Sequence, residues 1–218
     1  MKTEKAIFAC GCFWGVQHQM ERAAGVIRTT VGYTGGHKEN PTYPEVKAHT
    51  TGHAEAVLVE YDATQTTYTD LCKLFFEIHD PAQTDGQGPD IGPQYRSEIF
   101  YLNDEQKQQA EKVIQILKDK GYEVHTRLTP ATTFWPAEEY HQHYYDKTGG
   151  EPYCHIRVKI LIRKRGTFHT ENPSFYLFST KICSSLLDVI YNPGTHFFRT
   201  VFGSTFHLNF RCTHIGIQ

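Results

Sequence analysis

A cysteine followed by two aromatic residues and flanked by glycines is the stretch of this chain best suited to covalent chemistry. It is Gly11-Cys12-Phe13-Trp14-Gly15. Residues 5–8 before it are apolar enough for a short buried strand, and residues 16–24 after it have the spacing of an amphipathic helix. Cys12 is therefore predicted where a strand turns into a helix. The free N–H groups and the positive dipole end of a helix N-terminus stabilise an anion, so this thiol should ionise more easily than usual.

Residue types alone leave the role of Cys12 open. Most cysteines are small buried apolar residues, and most aromatic pairs belong to a core. A reactive thiol beside a flat apolar wall of Phe13 and Trp14 fits equally well. Gly11 and Gly15 leave room for a tight turn and for the close approach of another molecule.

A carboxyl group on the apolar face of a predicted strand is the second candidate for chemistry. Side chains alternate along residues 52–62, so Glu55 shares a face with Val57, Val59 and Tyr61. Such a carboxyl group either forms a salt bridge at the end of the strand or has a raised pKa. A raised pKa would keep it protonated as a general acid near neutral pH. The residues themselves do not choose between these two interpretations.

Two loops carry further groups able to build a hydrogen-bonded site. Residues 40–44 are predicted as an extended loop, stiffened by prolines, that presents Tyr43. Residues 80–96 are rich in Gly, Pro and Gln, and loops of that length in compact domains tend to be functional or disordered. The polar groups of this second loop are Asp90, Gln94, Tyr95 and Arg96.

Six cysteines are too few and too scattered for a disulfide framework in a chain of 218 residues. Residues 149–155 are rich in turn formers and hold Cys154 as an exposed-looking thiol. Zinc sites usually use Cys-x-x-Cys pairs, and the chain has none. Cys10 and Cys12 are one residue too close, and His141 and His143 form a lone pair, so no metal site is expected.

The elements predicted around these residues mix strands and helices without strict alternation. The first helix should bury Phe13, Val16, Met20 and Ala24. Further strands are predicted over residues 26–33, 52–62, 97–102 and 122–128, and further helices over residues 67–79, after a cap at residue 103, and over residues 137–145. This order favours an α+β two-layer sandwich with helices packed on a mixed sheet.

Composition narrows the function classes. With 39% hydrophobic and 21% charged residues the chain has a globular composition, and its length suits one domain. A net charge of -2 argues against a protein that binds nucleic acid through a basic surface. The sequence has no apolar run long enough to span a bilayer, and its polar first residues do not resemble a secretory signal. A cytoplasmic protein that is not bound to a membrane is the expectation.

The motif at Cys12 closely resembles the active-site signature of the A-type peptide methionine sulfoxide reductases. Seven further matches follow in order, and they argue strongly against chance. They are GYTGG at residues 32–36, NPTY at 40–43, TGHAE at 51–55, HDP at 79–81, GPQYRS at 92–97, AEEYHQ at 137–142 and PYCH at 152–155.

The resemblance implies an α+β two-layer sandwich with the nucleophilic Cys12 at the start of the first helix. Cys12 would attack the sulfoxide sulfur, and Glu55 would protonate the sulfoxide oxygen as it leaves. Tyr43 and Tyr95 resemble the hydroxyl groups with which the family binds that oxygen, and Asp90 resembles its ordering carboxylate.

The resemblance also implies the substrate and the activity. Phe13 and Trp14 would hold the ε-methyl group of a methionine sulfoxide in an apolar pocket. The chain would reduce methionine S-sulfoxide, free or in oxidised proteins, to methionine and thereby repair proteins. The product on the enzyme would be a sulfenic acid on Cys12.

Recycling of the sulfenic acid is implied by the same resemblance. Cys154 matches the family's first recycling cysteine, and a Cys12–Cys154 disulfide would be reduced by thioredoxin, an external dithiol, without a bound cofactor. The second recycling cysteine of many members is missing, because the chain continues with IRVK at residues 156–159. Cys10 is an alternative resolving or bystander thiol. A monomer is expected.

Residues 1–163 are therefore expected to form the catalytic domain. Residues 164–218, with Cys183 and Cys212, match nothing in the family and are predicted to be a poorly ordered extension. Two rival functions are a non-catalytic module that grips a peptide and a hydrolase or acyl transferase that pairs Cys12 with His53. The hydrolase would need a base oriented on the thiol, and the chain has no hydrolase signature.

Overall fold

The computed structural model describes residues 2–160. The strands in this part of the chain are β1 (Thr3–Cys10), β2 (Val26–Thr34), β3 (Ala54–Asp62), β4 (Gly86–Gln87), β5 (Asp90–Ile91), β6 (Ser97–Tyr101), β7 (Arg127–Pro130) and β8 (Trp135–Pro136). Its α-helices are α1 (Phe13–Glu21), α2 (Tyr43–Lys47), α3 (Tyr68–Glu77), α4 (Asp104–Asp119) and α5 (Tyr144–Thr148). Single 3₁₀ turns lie at Pro93–Tyr95 and Glu139–His141. The predictions for residues 164–218 fall outside the described residues.

Strand β1 lies in the middle of the main sheet and is buried on both faces. Ala6, Phe8 and Cys10 belong to the larger core cluster, whereas Ile7 and Ala9 belong to a smaller one on the opposite face. The strand order is β7-β6-β1-β3-β2-β8, with β6 and β7 parallel and the other neighbours antiparallel. This mixed sheet confirms the predicted α+β class.

Three helices cover the face of the sheet that carries the larger cluster. Their buried apolar residues are Phe13, Val16 and Met20 from α1, Leu71, Leu74 and Phe75 from α3, and Ala110, Val113 and Leu117 from α4. This packing confirms the two-layer arrangement. Within residues 2–160, no helix has both the length and the apolar character needed to cross a bilayer.

Side-chain caps begin the two longest helices. The Thr67 hydroxyl accepts a hydrogen bond from the N–H of Asp70 (3.1 Å), and the Asn103 side chain accepts one from the N–H of Gln106 (2.9 Å). Each cap satisfies one N–H group that the first helical turn leaves free. Both predicted helix starts are confirmed.

Two boundaries near the N-terminus differ from the predictions. Helix α1 begins directly after Cys12 and ends at Glu21, so Ala24 lies beyond it and is exposed rather than buried. The stretch predicted as an extended loop at residues 40–44 instead leads into α2. It does so because Thr42 and Glu45 form a reciprocal capping box and Pro44 fits the first turn.

Two predictions in the second half of the chain are also wrong. The strand predicted over residues 122–128 begins only at Arg127, because the N–H of Tyr122 bonds to Leu117 and that of His125 to Pro81. The helix predicted over residues 137–145 is split into a 3₁₀ turn and α5. His143 separates the two with a positive φ of 51°, which a continuous right-handed helix does not contain.

The long loop over residues 80–96 is ordered by a hairpin and an amide clamp. Strands β4 and β5 pair around Gly88, whose φ is 57°. The Gln87 side chain accepts a hydrogen bond from the N–H of Asp80 (2.9 Å) and donates one to its carbonyl oxygen (3.0 Å). The hairpin carries Asp90, and the 3₁₀ turn that follows carries Tyr95.

Candidate active site

Cys12 links the central strand β1 to helix α1. It occupies the N-cap position, and its carbonyl oxygen accepts hydrogen bonds from the N–H groups of Gly15 (3.2 Å) and Val16 (3.3 Å). The residue is only 9% exposed. The structure thus places Cys12 at the predicted junction of strand and helix.

Glu55 projects from β3 towards the same helix N-terminus. Its carboxyl group accepts a hydrogen bond from the N–H of Phe13 (3.1 Å), the residue next to Cys12, and it is 2% exposed. Burial raises the pKa of Glu55 to about 8; the Phe13 bond opposes this shift and the nearby charge of Asp90 adds to it. Roughly nine-tenths of this carboxyl group is therefore protonated at pH 7. Of the two interpretations of Glu55, the structure favours the protonated acid.

The position of Cys12 at a helix N-terminus predicts a thiol that ionises more easily than usual. In this structure it does not. Burial raises its pKa well above the ordinary value, the negative charge of Glu55 adds to the rise, and the Trp14 N–H only partly opposes it. The prediction was wrong because desolvation outweighs the helix N-terminus. Since Glu55 is mostly neutral at pH 7, burial is the larger obstacle to ionisation.

Tyr43 and Tyr95 belong to separate elements, the start of α2 and the 3₁₀ turn at Pro93–Tyr95. The Tyr43 N–H is anchored on the Glu138 carboxylate (2.9 Å) at the start of α2. The pKa values of both phenols are raised, first by burial and then by the charge of Glu55, and Cys12 contributes to both shifts. Both hydroxyl groups are therefore protonated at neutral pH and able to donate hydrogen bonds.

Asp90 interacts with Glu55 and also with the C-terminal segment of the described chain. The Tyr153 hydroxyl donates to both Asp90 carboxylate oxygens, each at 3.1 Å. Asp90 also raises the pKa values of Glu55 and of Cys154. Asp90 therefore interacts electrostatically with both Glu55 and the predicted recycling cysteine.

Trp14 and Phe13 occupy different positions beside Cys12. The Trp14 ring is partly exposed and stacks on Tyr144, with centroids 3.7 Å apart and planes at 5°, while its indole N–H donates to His141 Nδ1 (3.0 Å). Phe13 is 1% exposed and packs against Tyr33 and His141. Trp14 can thus form an open wall of an apolar pocket, and Phe13 lies beneath it.

Comparison with known proteins decides the family. The family model described as peptide methionine sulfoxide reductase matches residues 4–172. The chain belongs to this family. A peptide methionine sulfoxide reductase MsrA of Acinetobacter baumannii (strain AYE) is 48% identical over 161 residues, which are 74% of this chain and 93% of the relative. The resemblance seen in the motifs is confirmed, and this methionine sulfoxide reductase is an enzyme rather than a non-catalytic peptide-binding module.

Solved structures agree with the fold. Mxr1 from Saccharomyces cerevisiae in reduced form has a TM-score of 0.67 at 34% identity, covering 72% of this chain and 92% of its own. Methionine sulfoxide reductase A of Corynebacterium diphtheriae has a TM-score of 0.62 at 35% identity, covering 70% of this chain and 77% of its own. The reductase therefore has the α+β architecture of these structures.

His53 does not serve Cys12 as a base, which removes the hydrolase alternative. Its Nδ1 accepts a hydrogen bond from the N–H of Gly36 (3.1 Å), and its Nε2 bonds to the carbonyl oxygen of Lys38 (2.7 Å). Both ring nitrogens are therefore occupied by the backbone. A Cys/His hydrolase needs one of them on the thiol.

Potential metal ligands do not meet at the site. Cys10 lies in the core, and His141 and His143 bond to different partners, Trp14 and Glu21. Within the described residues, one group of three possible ligands lies elsewhere, formed by His18, Glu21 and Asp146. The Arg22 guanidinium already bonds to Glu21 (2.6 Å) and Asp146 (3.0 Å), so a cation occupies that group.

The four cysteines of residues 2–160 are free thiols. Cys154 is partly exposed and belongs to the charged surroundings of Cys12, because each thiol responds to Asp90. Cys10 is fully buried, and burial raises its pKa well above the ordinary value. Of the two resolving thiols considered from the sequence, Cys154 is thus the accessible one. Cys72 packs in the core, as predicted.

Sequence reasoning missed several residues that shape the site. Glu138 receives hydrogen bonds from the Tyr33 hydroxyl (2.9 Å) and the Tyr43 N–H. His141 and Tyr144 hold the Trp14 ring, and His155 contacts Cys154. The available signal was that Glu138, His141 and His155 lie in two matched motifs, residues 137–142 and 152–155, in which they received no role.

Proposed function

We propose that this reductase acts on the S epimer of methionine sulfoxide, free and in proteins, with Cys12 as nucleophile and Glu55 as acid. The observation that supports this most directly is the buried, mostly protonated carboxyl group of Glu55, held by the N–H of the residue next to Cys12. Breaking an S–O bond requires a proton on the departing oxygen. The choice of the S epimer rests on the resemblance to the A-type members.

The first step transfers the sulfoxide oxygen from the substrate to Cys12. The Cys12 sulfur attacks the sulfoxide sulfur, Glu55 protonates the oxygen, and the thiol proton replaces the proton that Glu55 has given up. The protonated oxygen then bonds to the Cys12 sulfur as its bond to the substrate sulfur and the transient bond between the two sulfurs break, so Cys12 becomes a sulfenic acid and the substrate leaves as the thioether. The substrate sulfur gains the two electrons that the cysteine sulfur loses, so the step balances without a bound cofactor.

The tyrosines and Trp14 orient the substrate for this step. Hydroxyl groups of Tyr43 and Tyr95 donate hydrogen bonds to the sulfoxide oxygen as its negative charge develops. Trp14, with Phe13 beneath it, receives the methyl group in an apolar pocket. A polar oxygen on one side of the substrate and a methyl group on the other would select one epimer.

Recycling uses Cys154 and then an external dithiol. Cys154 attacks the sulfenic sulfur of Cys12, forms a disulfide and releases water, and thioredoxin reduces the disulfide by thiol exchange. Cys154 is suited to this role because it is the more accessible of the two candidate thiols. We also propose that the protein works as a cytoplasmic monomer on oxidised proteins and free methionine sulfoxide, without binding nucleic acid or a membrane.

Separated epimers of a blocked methionine sulfoxide test this proposal. Turnover is measured with dithiothreitol and then with thioredoxin for the wild type, for Cys154→Ser and for Cys72→Ser as a matched control. We expect turnover of the S epimer alone, and loss of thioredoxin-driven but not dithiothreitol-driven turnover in Cys154→Ser. Reduction of the R epimer would overturn the assignment of substrate. Thioredoxin-driven turnover without Cys154 would overturn the recycling step.

A further inference from the structure

The imidazole of His155 is fully buried beneath the site, and its orientation is fixed by the backbone. Its Nε2 lies 2.8 Å from the carbonyl oxygen of Cys10. A carbonyl oxygen can only accept a hydrogen bond, so Nε2 must carry a hydrogen. The side chain of Gln19 also donates to the carbonyl oxygen of His155 (2.8 Å), which ties this residue to α1.

The other ring nitrogen faces the predicted recycling thiol. His155 Nδ1 lies 3.0 Å from the sulfur of Cys154. Burial lowers the pKa of His155, so the resting ring is neutral and has a single hydrogen, which is already on Nε2. Nδ1 therefore presents a lone pair, and the Cys154 thiol is the donor in this contact.

The glycines of the cysteine motif provide the space for this ring. A side-chain carbon on Gly15 would overlap His155 Nδ1, and one on Gly11 would lie 3.1 Å from Nε2 and 2.7 Å from Gln87. The sequence suggested room for another molecule at these glycines. The structure shows that part of this room is filled by His155 of the same chain, which is packed against the segment that carries Cys12.

The recycling step needs a proton acceptor at this place. Burial, together with the charge of Asp90, raises the pKa of Cys154 to about 12. A thiol with that pKa is ionised in only about 1 in 10⁵ molecules at pH 7, and the thiolate is the nucleophile. Asp90 also interacts with Cys154, and its carboxylate can accept a hydrogen bond from the thiol in addition to the contacts from Tyr153, so an Asp90→Asn variant is needed to separate the two acceptors. His155 Nδ1 has its lone pair free for the thiol.

We propose that His155 accepts the proton of Cys154 when the Cys12–Cys154 disulfide closes. This inference rests on the proposed function. The thiol proton moves to Nδ1, the Cys154 sulfur attacks the sulfenic sulfur of Cys12, and the S–S bond forms as the S–O bond breaks. The departing hydroxide takes up a proton and leaves as water, so the proton released balances the one consumed. The sulfenic acid is the oxidant, and no other reagent enters.

Single-turnover experiments on the full chain separate this role from packing. In His155→Gln, the amide nitrogen can still donate to the carbonyl oxygen of Cys10, but no base faces the thiol. In His155→Asn, the shorter side chain also loses the Cys10 bond. His53→Gln is the matched control, because His53 is another buried histidine whose ring nitrogens bond to backbone groups, the N–H of Gly36 (3.1 Å) and the carbonyl oxygen of Lys38 (2.7 Å).

Each enzyme is mixed with the S epimer of blocked methionine sulfoxide without a reductant. Methionine released and disulfide formed are measured in acid-quenched, alkylated samples. We expect methionine release within about twofold of wild type in every variant. Disulfide closure should fall about 10- to 100-fold in both His155 variants, at the lower end of general-base effects, and stay at the wild-type rate in His53→Gln.

The pH profile of closure provides a readout that loss of packing would not change. The titratable groups that interact with His155 are the Cys154 thiol, the Asp90 carboxylate and the His79 imidazole. Without the imidazole, closure should rise about tenfold per pH unit between pH 6 and pH 9, because it follows the free thiolate. With the imidazole, closure should rise by less than about threefold over the same range.

The outcomes separate this inference from the proposed function. Wild-type closure in His155→Gln combined with slow closure in His155→Asn would reduce His155 to a packing residue and overturn the inference. So would slow closure that keeps the wild-type pH profile, or an Asp90→Asn variant that alone reproduces the loss and the steeper slope. Failure of the wild type to release methionine or to close this disulfide would instead overturn the proposed function.

Discussion

The two cysteines of the proposed reaction are held by different kinds of structure. Cys12 follows the central strand of the main sheet and caps α1, so strand pairing and helix hydrogen bonds fix its backbone. Cys154 lies in residues 151–160, a segment of the described chain that contains no helix or strand. The nucleophile is therefore positioned by the fold, and the recycling thiol is positioned by side chains.

A few bonds attach the recycling segment to the rest of the structure. Tyr153 bonds to Asp90, His155 bonds to the carbonyl oxygen of Cys10, and Arg157 bonds to Glu77 (2.9 Å). The N–H of Val158 also donates to the carbonyl oxygen of Glu77 (2.6 Å). His155 and Ile160 are also buried, so the segment is anchored after Cys154 as well as before it through Tyr153. Between these anchors Cys154 lies outside any helix or strand, so the proposed closure onto Cys12 needs only a local movement and leaves the rigid site in place.

The largest expected effect comes from removing the nucleophile at the rigid site. Cys12→Ser keeps the size of the side chain but replaces the sulfur that forms the sulfenic acid. We expect methionine formation to fall by a factor on the order of 10⁴ or more, with dithiothreitol as reductant. Stopped-flow or endpoint assays of methionine release measure this rate, with Cys72→Ser as the control. Turnover that survives in Cys12→Ser would mean that another thiol is the nucleophile.

Removing the acid should have the next largest effect. Glu55→Gln keeps the bond to the Phe13 N–H but cannot give up a proton, so turnover should fall about 10²- to 10⁴-fold. Because the pKa of Glu55 is about 8 in the free enzyme, kcat/KM of the wild type should fall about tenfold per pH unit above pH 8. The variant should lose that dependence. An unchanged decline above pH 8 in Glu55→Gln would assign the titration to another group.

The same substitution should stabilise the fold. The folded-state pKa of Glu55 is raised from 4.5 to about 8, so its contribution to stability is fully present below pH 4.5 and is lost as the pH rises to about 8. Glutamine is neutral throughout this range. The unfolding free energy of Glu55→Gln minus that of the wild type should therefore be larger at pH 8 than at pH 4.5, by on the order of 3 kcal/mol. Urea unfolding at both pH values measures the gain, and an equal stability difference at both would contradict the raised pKa.

Sequence patterns predicted the helices and strands around Cys12 well and the contacts of the irregular segments poorly. The apolar run before Cys12 and the caps at Thr67 and Asn103 are local signals, and the structure confirms the elements that they predict. The roles of Glu138 and His155 depend on bonds to residues about 95 and 145 positions away in the chain. No local periodicity encodes such contacts. The prediction of a helix over residues 137–145 was wrong for a related reason. Tertiary bonds made by His141 and His143 determine the conformation of that stretch.

The smallest expected effect comes from loosening the recycling segment alone. Tyr153→Phe removes the hydroxyl group that donates to both Asp90 oxygens, and a net bond of about 1 kcal/mol corresponds to a roughly fivefold change. We expect disulfide closure to slow about two- to fivefold, because Cys154 is held near Cys12 for less of the time, while methionine release is unchanged. Tyr140→Phe is the matched control, since both tyrosines are 59% exposed. Faster closure in Tyr153→Phe would show instead that the Asp90 bond restrains Cys154 away from Cys12, and that the segment must detach before the thiols can meet.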